Sequence, residues 1–145
     1  MFKSDILSVE INAFKTFMKF IKDFDEKEQT VLAIQVENEV GILGPTRDFR
    51  KEAGEAYKGY INDDLIENIK SNSTTNLIAA DNGNWEEVFR ENAAEAFMCV
   101  NYASYMDKLA RTGKEVYRLP LFTNVWLKGE GEEAGTYPSG GPEPE

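Results

Sequence analysis

The feature that most constrains the fold is a continuous apolar run that directly follows an amphipathic helical pattern. In residues 9–24, apolar side chains recur at helical spacing with lysines between them: Phe14, Phe17, Met18, Ile21 and Phe24. Ser8 is the predicted N-cap of this helix. The run "VLAI", residues 31–34, lacks the alternation with polar residues that is typical of a half-exposed strand. A helix followed by a strand buried on both faces predicts a parallel sheet covered by helices.

The rest of the chain continues this alternation. Asn62 is the predicted cap of a short helix, "DDLIENIK", and residues 77–80 form an apolar run that predicts a second strand. A long helix is predicted over residues 85–111, with Gly113 closing it, because its apolar side chains keep a 3.6-residue rhythm. Residues 119–127 predict a further buried strand.

A long connection separates the first predicted strand from the next helix. Residues 40–61 are rich in glycine and charge, and we expect a functional loop there, since loops of this length are uncommon in compact domains. The order helix, strand, loop, helix, strand, helix, strand predicts an α/β fold. It fits both a doubly wound sheet and a (β/α)8 barrel, and alternation alone does not separate them.

Composition removes several classes of function. Lys and Arg total 16 against 26 Asp and Glu, for a formal net charge of -10, so nucleic acid and anionic membranes are not expected partners. The chain has no histidine and a single cysteine, Cys99, which excludes Ser-His-Asp triads, Cys-His nucleophiles, internal disulfides and the usual zinc sites. We expect no metal or organic cofactor, and chemistry that runs on carboxylates, amides, hydroxyls or basic groups.

Membrane insertion is not expected either. No apolar run reaches the roughly 18 residues of a membrane-spanning helix, and the start "MFKSDILSVE" lacks the pattern of a signal peptide. The sequence therefore predicts a soluble chain.

Two glutamates flank an asparagine at the end of the first predicted strand, where buried charge is costly unless it is used. Side chains two apart on a strand point the same way, so we expect Glu37 and Glu39 to face one side together. Two like charges so placed favour protonation of one of them, which suits a proton donor. In the alternative interpretation, one glutamate forms an ion pair with Arg47 or Arg50 and takes part in no chemistry.

The stretch "QVENEVG", residues 35–41, resembles the strand-four signature of the retaining β-galactosidases of glycoside hydrolase family thirty-five. It also resembles the larger (β/α)8 clan to which that family belongs, whose hallmark is an Asn-Glu pair at the end of that strand. Later blocks look like the bacterial branch of the family: "WEEVF", "EAFMCVNYASYMDKLA", "GKEVYRLPLFTNVWL" and "YPSGGP".

This resemblance implies roles for individual residues. Glu39 matches the catalytic general acid/base, which protonates the glycosidic oxygen and later deprotonates the attacking water. Asn38 matches the amide that binds the sugar 2-hydroxyl, and Glu37 is read as a polar residue that contacts the sugar or orients its neighbours. Asn124 and Trp126 lie near the end of the later strand, on the face where a barrel carries its active site, and are the further candidate substrate-binding residues.

Three aromatic side chains have competing interpretations. Trp126 either stacks on a sugar ring or belongs to the core. Tyr137 either reaches the site or stabilises a turn, and Trp85 is expected to serve packing.

The resemblance also implies a partial (β/α)8 TIM barrel, its middle section from around strand four onward. A whole barrel takes about 250 residues, so residues 1–145 are expected to be a fragment of a single catalytic domain, with residues 128–145 as a Gly, Pro and Glu-rich loop or truncated end. The retaining mechanism needs a second carboxylate about 5 Å from the first, which this clan places at the end of strand seven. Glu143 and Glu145 do not match that motif, so the fragment itself is expected to be inactive.

The implied partner is a terminal β-galactoside or a related carbohydrate, hydrolysed with retention. Within the enzyme class, the alternative is a family forty-two β-galactosidase or another β-glycosidase of the clan. A non-catalytic carbohydrate-binding module is the alternative from another class. A small acidic α/β protein that merely carries "VENE" would leave the later blocks unexplained.

Overall fold

The computed structural model describes residues 4–72 and 78–140. Five α-helices occur in this part of the chain: α1 (Ser4–Asp25), α2 (Lys51–Lys58), α3 (Asp63–Asn72), α4 (Trp85–Phe89) and α5 (Ala93–Val116). Two short strands, β1 (Ile34–Gln35) and β2 (Leu121–Phe122), pair in parallel, with Ile34 opposite Leu121. The described part is therefore a mostly helical α/β arrangement around a two-stranded parallel sheet.

Helices α1 and α5 pack together, and a small apolar cluster joins them to the strand region. The buried residues there are Val36, Tyr105 and Leu109, with Leu7, Ile11, Phe14, Met106 and Leu121 packed around them. The two helices approach closely at Gly113, where a Cβ atom would lie 2.4 Å from Cε1 of Phe14. The prediction that Gly113 ends the long helix is wrong, since α5 continues to Val116 and the missing side chain serves packing.

The larger core lies among helices α2 to α5. Its buried residues are Tyr57, Ile61, Ile66, Trp85, Val88, Phe89, Ala93, Phe97 and Met98. Phe97 lies at its centre, with the rings of Tyr57 and Trp85 edge-on to it at centroid distances of 5.4 and 5.3 Å. The expectation that Trp85 serves packing is confirmed.

The strands are much shorter than predicted. Residues 30–36 and 119–127 were expected as buried strands, yet only Ile34–Gln35 and Leu121–Phe122 form regular strand, and Leu32 is 80% exposed. Single hydrogen bonds extend the ladder, from the amide of Ile34 to Pro120 (3.0 Å) and from that of Val36 to Phe122 (2.7 Å). The strands stay exposed because, in the described residues, no layer covers the face opposite α1 and α5.

The predicted strand over residues 77–80 is also wrong where it can be assessed. Leu77 lies outside the described residues, and residues 78–80 are irregular. The amide of Ala79 donates instead to the carbonyl of Val88, at 2.7 Å.

Helix boundaries differ from the predictions in three further places. Ser8 lies inside α1 and is not its N-cap, because Leu7 and Ile11 extend the stripe that packs against α5. The predicted helix over residues 85–111 is interrupted by a 3-10 turn, Arg90–Asn92, in which Arg90 has a φ of 49°. The expected loop over residues 40–61 contains α2.

The cap prediction at Asn62 is confirmed, since its side chain accepts a hydrogen bond from the amide of Asp64 at 2.8 Å. The first helix exposes more apolar surface than expected: Met18 is buried, but Phe17 is 44% and Phe24 is 72% exposed.

None of the helices in the described residues combines the length and apolar character needed to cross a membrane.

Candidate functional site

The chain bends sharply after β1, at Glu37-Asn38-Glu39. Glu37 has a φ of 61° and Glu39 a φ of 46°, in the left-handed region that side chains other than glycine rarely adopt. Such conformations cost about 1–3 kcal/mol each and persist where surrounding contacts hold them. The expectation that both glutamates face one side assumed that the strand continues through residues 37–39. That assumption is wrong, since the strand ends at Gln35.

The side chain of Gln35 joins the ends of the two strands. Its Nε2 donates to Oδ1 of Asn38 at 3.0 Å, to Oδ1 of Asn124 at 2.9 Å and to the carbonyl of Glu37 at 2.9 Å. The amide of Glu39 donates to the carbonyl of Asn124 at 3.3 Å. The structure thus brings together Asn38, Glu39 and Asn124, which the sequence proposed as site residues from segments far apart in the chain.

The carboxylate of Glu37 contacts helix α5. Oε1 accepts a hydrogen bond from the hydroxyl of Tyr105 at 2.9 Å, and Tyr105 is only 6% exposed. Burial, followed by hydrogen bonds to the carboxylates of Glu37 and Glu10, raises the pKa of Tyr105 above its ordinary value. The phenol therefore stays protonated and acts as a donor to Glu37.

Glu39 is half-buried, and within residues 4–72 and 78–140 its carboxylate forms no hydrogen bond or ion pair. The alternative that Arg47 or Arg50 neutralises one of the glutamates is wrong. Arg50 pairs with Asp48 at 2.5 Å, and the guanidinium of Arg47 lies 4.1 Å from the ring centroid of Tyr57. The Glu39 carboxylate is thus left available to a ligand.

Trp126 lies beyond β2 and is 38% exposed, so it is not part of the buried core. Its Nε1 donates to Oε2 of Glu132 at 3.3 Å, and the amide of Gly129 donates to the same oxygen at 2.7 Å. Glu132 therefore ties the indole to the loop that follows β2.

Tyr137 is 1% exposed and anchors the segment after β2 against helix α5. Its hydroxyl donates to Oε1 of Glu95 at 3.3 Å, while the amide of Gly140 donates to Oε2 of the same residue at 2.6 Å. This arrangement is that of a turn-stabilising tyrosine, the second of the two interpretations of Tyr137.

Sequence reasoning missed two residues that organise the site. Gln35 was predicted only as part of the motif, and because its side chain is exposed, nothing in the sequence alone marks its hydrogen bonds to Asn38 and Asn124. Tyr105 was not among the predicted site residues. The sequence places this tyrosine on the apolar side of a predicted helix, where a buried hydroxyl requires a hydrogen-bond acceptor.

Other reactive groups do not form a site in the described part of the chain. No group of three or more His, Cys, Asp or Glu side chains there is arranged to hold a metal ion. Burial raises the pKa of the Cys99 thiol, with the nearby Glu95 carboxylate acting in the same direction. A thiol held neutral in this way is a poor nucleophile.

Comparison with protein families finds no family model that matches this chain, and a search of curated proteins finds no match.

Proposed function

We propose that this chain is part of a glycoside hydrolase catalytic domain, a partial (β/α)8 barrel, and that it supplies the general acid/base of a retaining β-galactosidase-like enzyme. One observation carries the proposal. The carboxyl ends of two adjacent parallel strands bring Asn38, Glu39 and Asn124 together, held by the side chain of Gln35. The carboxyl ends of barrel strands are where the active sites of such folds lie.

Glu39 has the surroundings that acid/base chemistry needs. Its carboxylate is half-buried and makes no hydrogen bond to the described residues, so it is available to a glycosidic oxygen. As an acid it donates the proton that lets the aglycone leave, and as a carboxylate it then takes a proton from the attacking water. Both steps use the same oxygen atoms, so a fixed backbone at Glu39 favours catalysis.

Gln35 determines how the two asparagines face a ligand. Because Oδ1 of Asn38 and Oδ1 of Asn124 both accept from Gln35, each amide nitrogen is turned away from Gln35. Those nitrogens are donors, and sugar hydroxyl oxygens accept hydrogen bonds. A hydrogen bond from Asn38 to the 2-hydroxyl that strengthens in the transition state would contribute directly to the rate.

The proposal also gives roles to Trp126 and Glu37. The exposed indole of Trp126, fixed by Glu132, offers an apolar face to a sugar ring. The Glu37 carboxylate accepts a hydrogen bond from helix α5, so its proposed role is to orient its neighbours. The retaining mechanism also needs a nucleophilic carboxylate about 5 Å from the acid/base. The proposal places that nucleophile in a segment outside these 145 residues.

The test uses the protein translated from the complete reading frame that contains this sequence, assayed with aryl β-galactosides. Glu39→Ala should lower the rate about 10²–10⁴-fold for substrates with poor leaving groups, which need a proton donor. Dinitrophenyl β-galactoside, whose leaving group needs no proton, should lose much less in the first step. Added azide should restore turnover by replacing the water that Glu39 would activate.

The matched control is Glu130→Ala, which removes an exposed glutamate from the loop after β2. An equal loss for all leaving groups, or no loss, would contradict the role of Glu39. Sugar affinity without any hydrolysis would favour a carbohydrate-binding module. A panel of nitrophenyl glycosides separates a β-galactosidase from other β-glycosidases.

A further inference from the structure

The contact between Glu37 and Tyr105 joins the bend at residues 37–39 to a long helix. The two residues are 68 positions apart, and their oxygen atoms lie 2.9 Å from each other. The carboxylate can point toward α5 because the left-handed φ of Glu37 carries the chain out of the strand direction.

Buried packing holds Tyr105 in place at this contact. It belongs to the buried cluster with Val36 and Leu109, where α5 packs on the sheet. A hydrogen bond to a carboxylate is stronger than one between neutral groups, and the donor here is a buried hydroxyl. Helix α5 therefore fixes the Glu37 side chain more firmly than another loop would.

The backbone of the bend needs such support. Two residues with left-handed φ flank Asn38, and neither is glycine. Gln35 holds the bend from the strand side, through the carbonyl of Glu37 and Oδ1 of Asn38. Tyr105 is the contact that holds it from the helix side.

We infer that Tyr105 is a positioning residue that fixes Glu37 and thereby sets where Asn38 and Glu39 present their side chains. The effect of Tyr105 on catalysis rests on the proposed function, whereas its effect on the structure of the bend does not.

Glu10 on α1 lies close to this contact. It lines, with Tyr105 and Glu37, an open cleft of about 440 Å³ between α1, β1 and α5. The Glu10 carboxylate acts on the pKa of Tyr105 in the same direction as the Glu37 carboxylate, raising it. Oε2 of Glu10 is buried and has no hydrogen-bond partner among the described residues.

The experiment uses the protein translated from the complete reading frame that contains this sequence, labelled with ¹⁵N. Tyr105→Phe removes only the hydroxyl, and we expect two changes. Amide hydrogen exchange at Glu39 should accelerate about tenfold or more, because its bond to Asn124 opens more often. The side-chain amide signals of Gln35, Asn38 and Asn124 should also shift. Tyr60→Phe is the control, since Tyr60 is 82% exposed, and it should change neither.

A second pair of variants leaves helix α5 intact and covers the case in which Tyr105→Phe does not fold. Glu37→Gln retains an oxygen that accepts from Tyr105 and should keep the slow exchange at Glu39, whereas Glu37→Met should lose it. If both variants exchange alike, or if folded Tyr105→Phe leaves exchange and amide signals unchanged, the inference is overturned.

Catalysis is measured separately in the protein from the complete reading frame. There, Tyr105→Phe should lower kcat about tenfold with little change in KM, since misplacement of a catalytic group costs rate and not binding. If the exchange results hold but Glu39→Ala has no effect on turnover, the proposed function fails while the structural role of Tyr105 stands.

Discussion

Two regions of the molecule differ in how completely their apolar side chains are covered. The first is the cluster among α2 to α5, called the helical core. The second is the region where α1 and α5 pack beside the strands, called the sheet side. The helical core surrounds Phe97 with other aromatic rings and leaves it 1% exposed. On the sheet side, Phe122 is 53% and Leu32 is 80% exposed, although both lie in apolar stretches. An apolar side chain contributes to stability only where a second layer covers it.

The largest effect is expected from truncating one phenylalanine in each region. Phe97→Ala should lower the free energy of unfolding by about 3–5 kcal/mol, because it removes buried contacts and leaves a cavity. Phe122→Ala should change it by less than about 1 kcal/mol, since half of the ring already contacts solvent. Urea unfolding of both variants, followed by circular dichroism, measures the two values. Equal losses would show that both regions are equally well packed, contrary to the comparison.

A smaller effect is expected at the glycine where α1 and α5 meet on the sheet side. Gly113→Ala would place a Cβ atom 2.4 Å from Cε1 of Phe14, between α5 and α1. The clash should cost about 1–3 kcal/mol, outweighing the roughly 1 kcal/mol by which alanine favours a helix.

Gly54→Ala is the matched control, because Gly54 also lies in a helix and has no atom within 4 Å of the position of a Cβ. It should stabilise the protein by about 0.5–1 kcal/mol. Thermal unfolding of the two variants should therefore shift in opposite directions. A stabilising Gly113→Ala would mean that α1 can move away from α5 at little cost.

The smallest effect concerns an ion pair at the edge of the helical core. Hydrogen bonds and charge attraction from Arg50 lower the pKa of Asp48 from 3.8 to about 2, against the opposing effect of burial. A carboxylate with a lowered folded-state pKa stabilises the fold above the unfolded value, near pH 4, and loses that contribution as the pH falls to about 2. Solvent reaches Arg50, so the contribution is about 1–2 kcal/mol.

The measurement compares the wild type with Asp48→Asn in urea across this range of pH. The variant should be less stable at pH 7, and the difference should vanish toward pH 2. Asp107→Asn, which breaks an exposed pair with Arg111 one helical turn away, should change stability little at any pH. A difference for Asp48→Asn that does not depend on pH would show that the lost charge is not its cause.

Local patterns predicted the helices because helical contacts join residues three and four apart. The spacing of apolar side chains indicated α1 and most of α5, and Asn62 marked the start of α3. Strand lengths were overestimated, since an apolar run becomes a strand only where a partner and a covering layer are present. The break at Arg90 left no mark in the spacing of apolar residues, so a single helix was predicted there.

For the candidate site, the sequence by itself determined which groups are available: Asn38 and Glu39 after one strand, Asn124 after another, and no histidine anywhere. Only the tertiary structure decided that Gln35 holds both asparagines and that Tyr105 holds Glu37. The contacts of Gln35 with Asn124 and of Tyr105 with Glu37 join residues 89 and 68 positions apart. Neither spacing nor propensity encodes such distances, because they arise only when strands pair and helices pack.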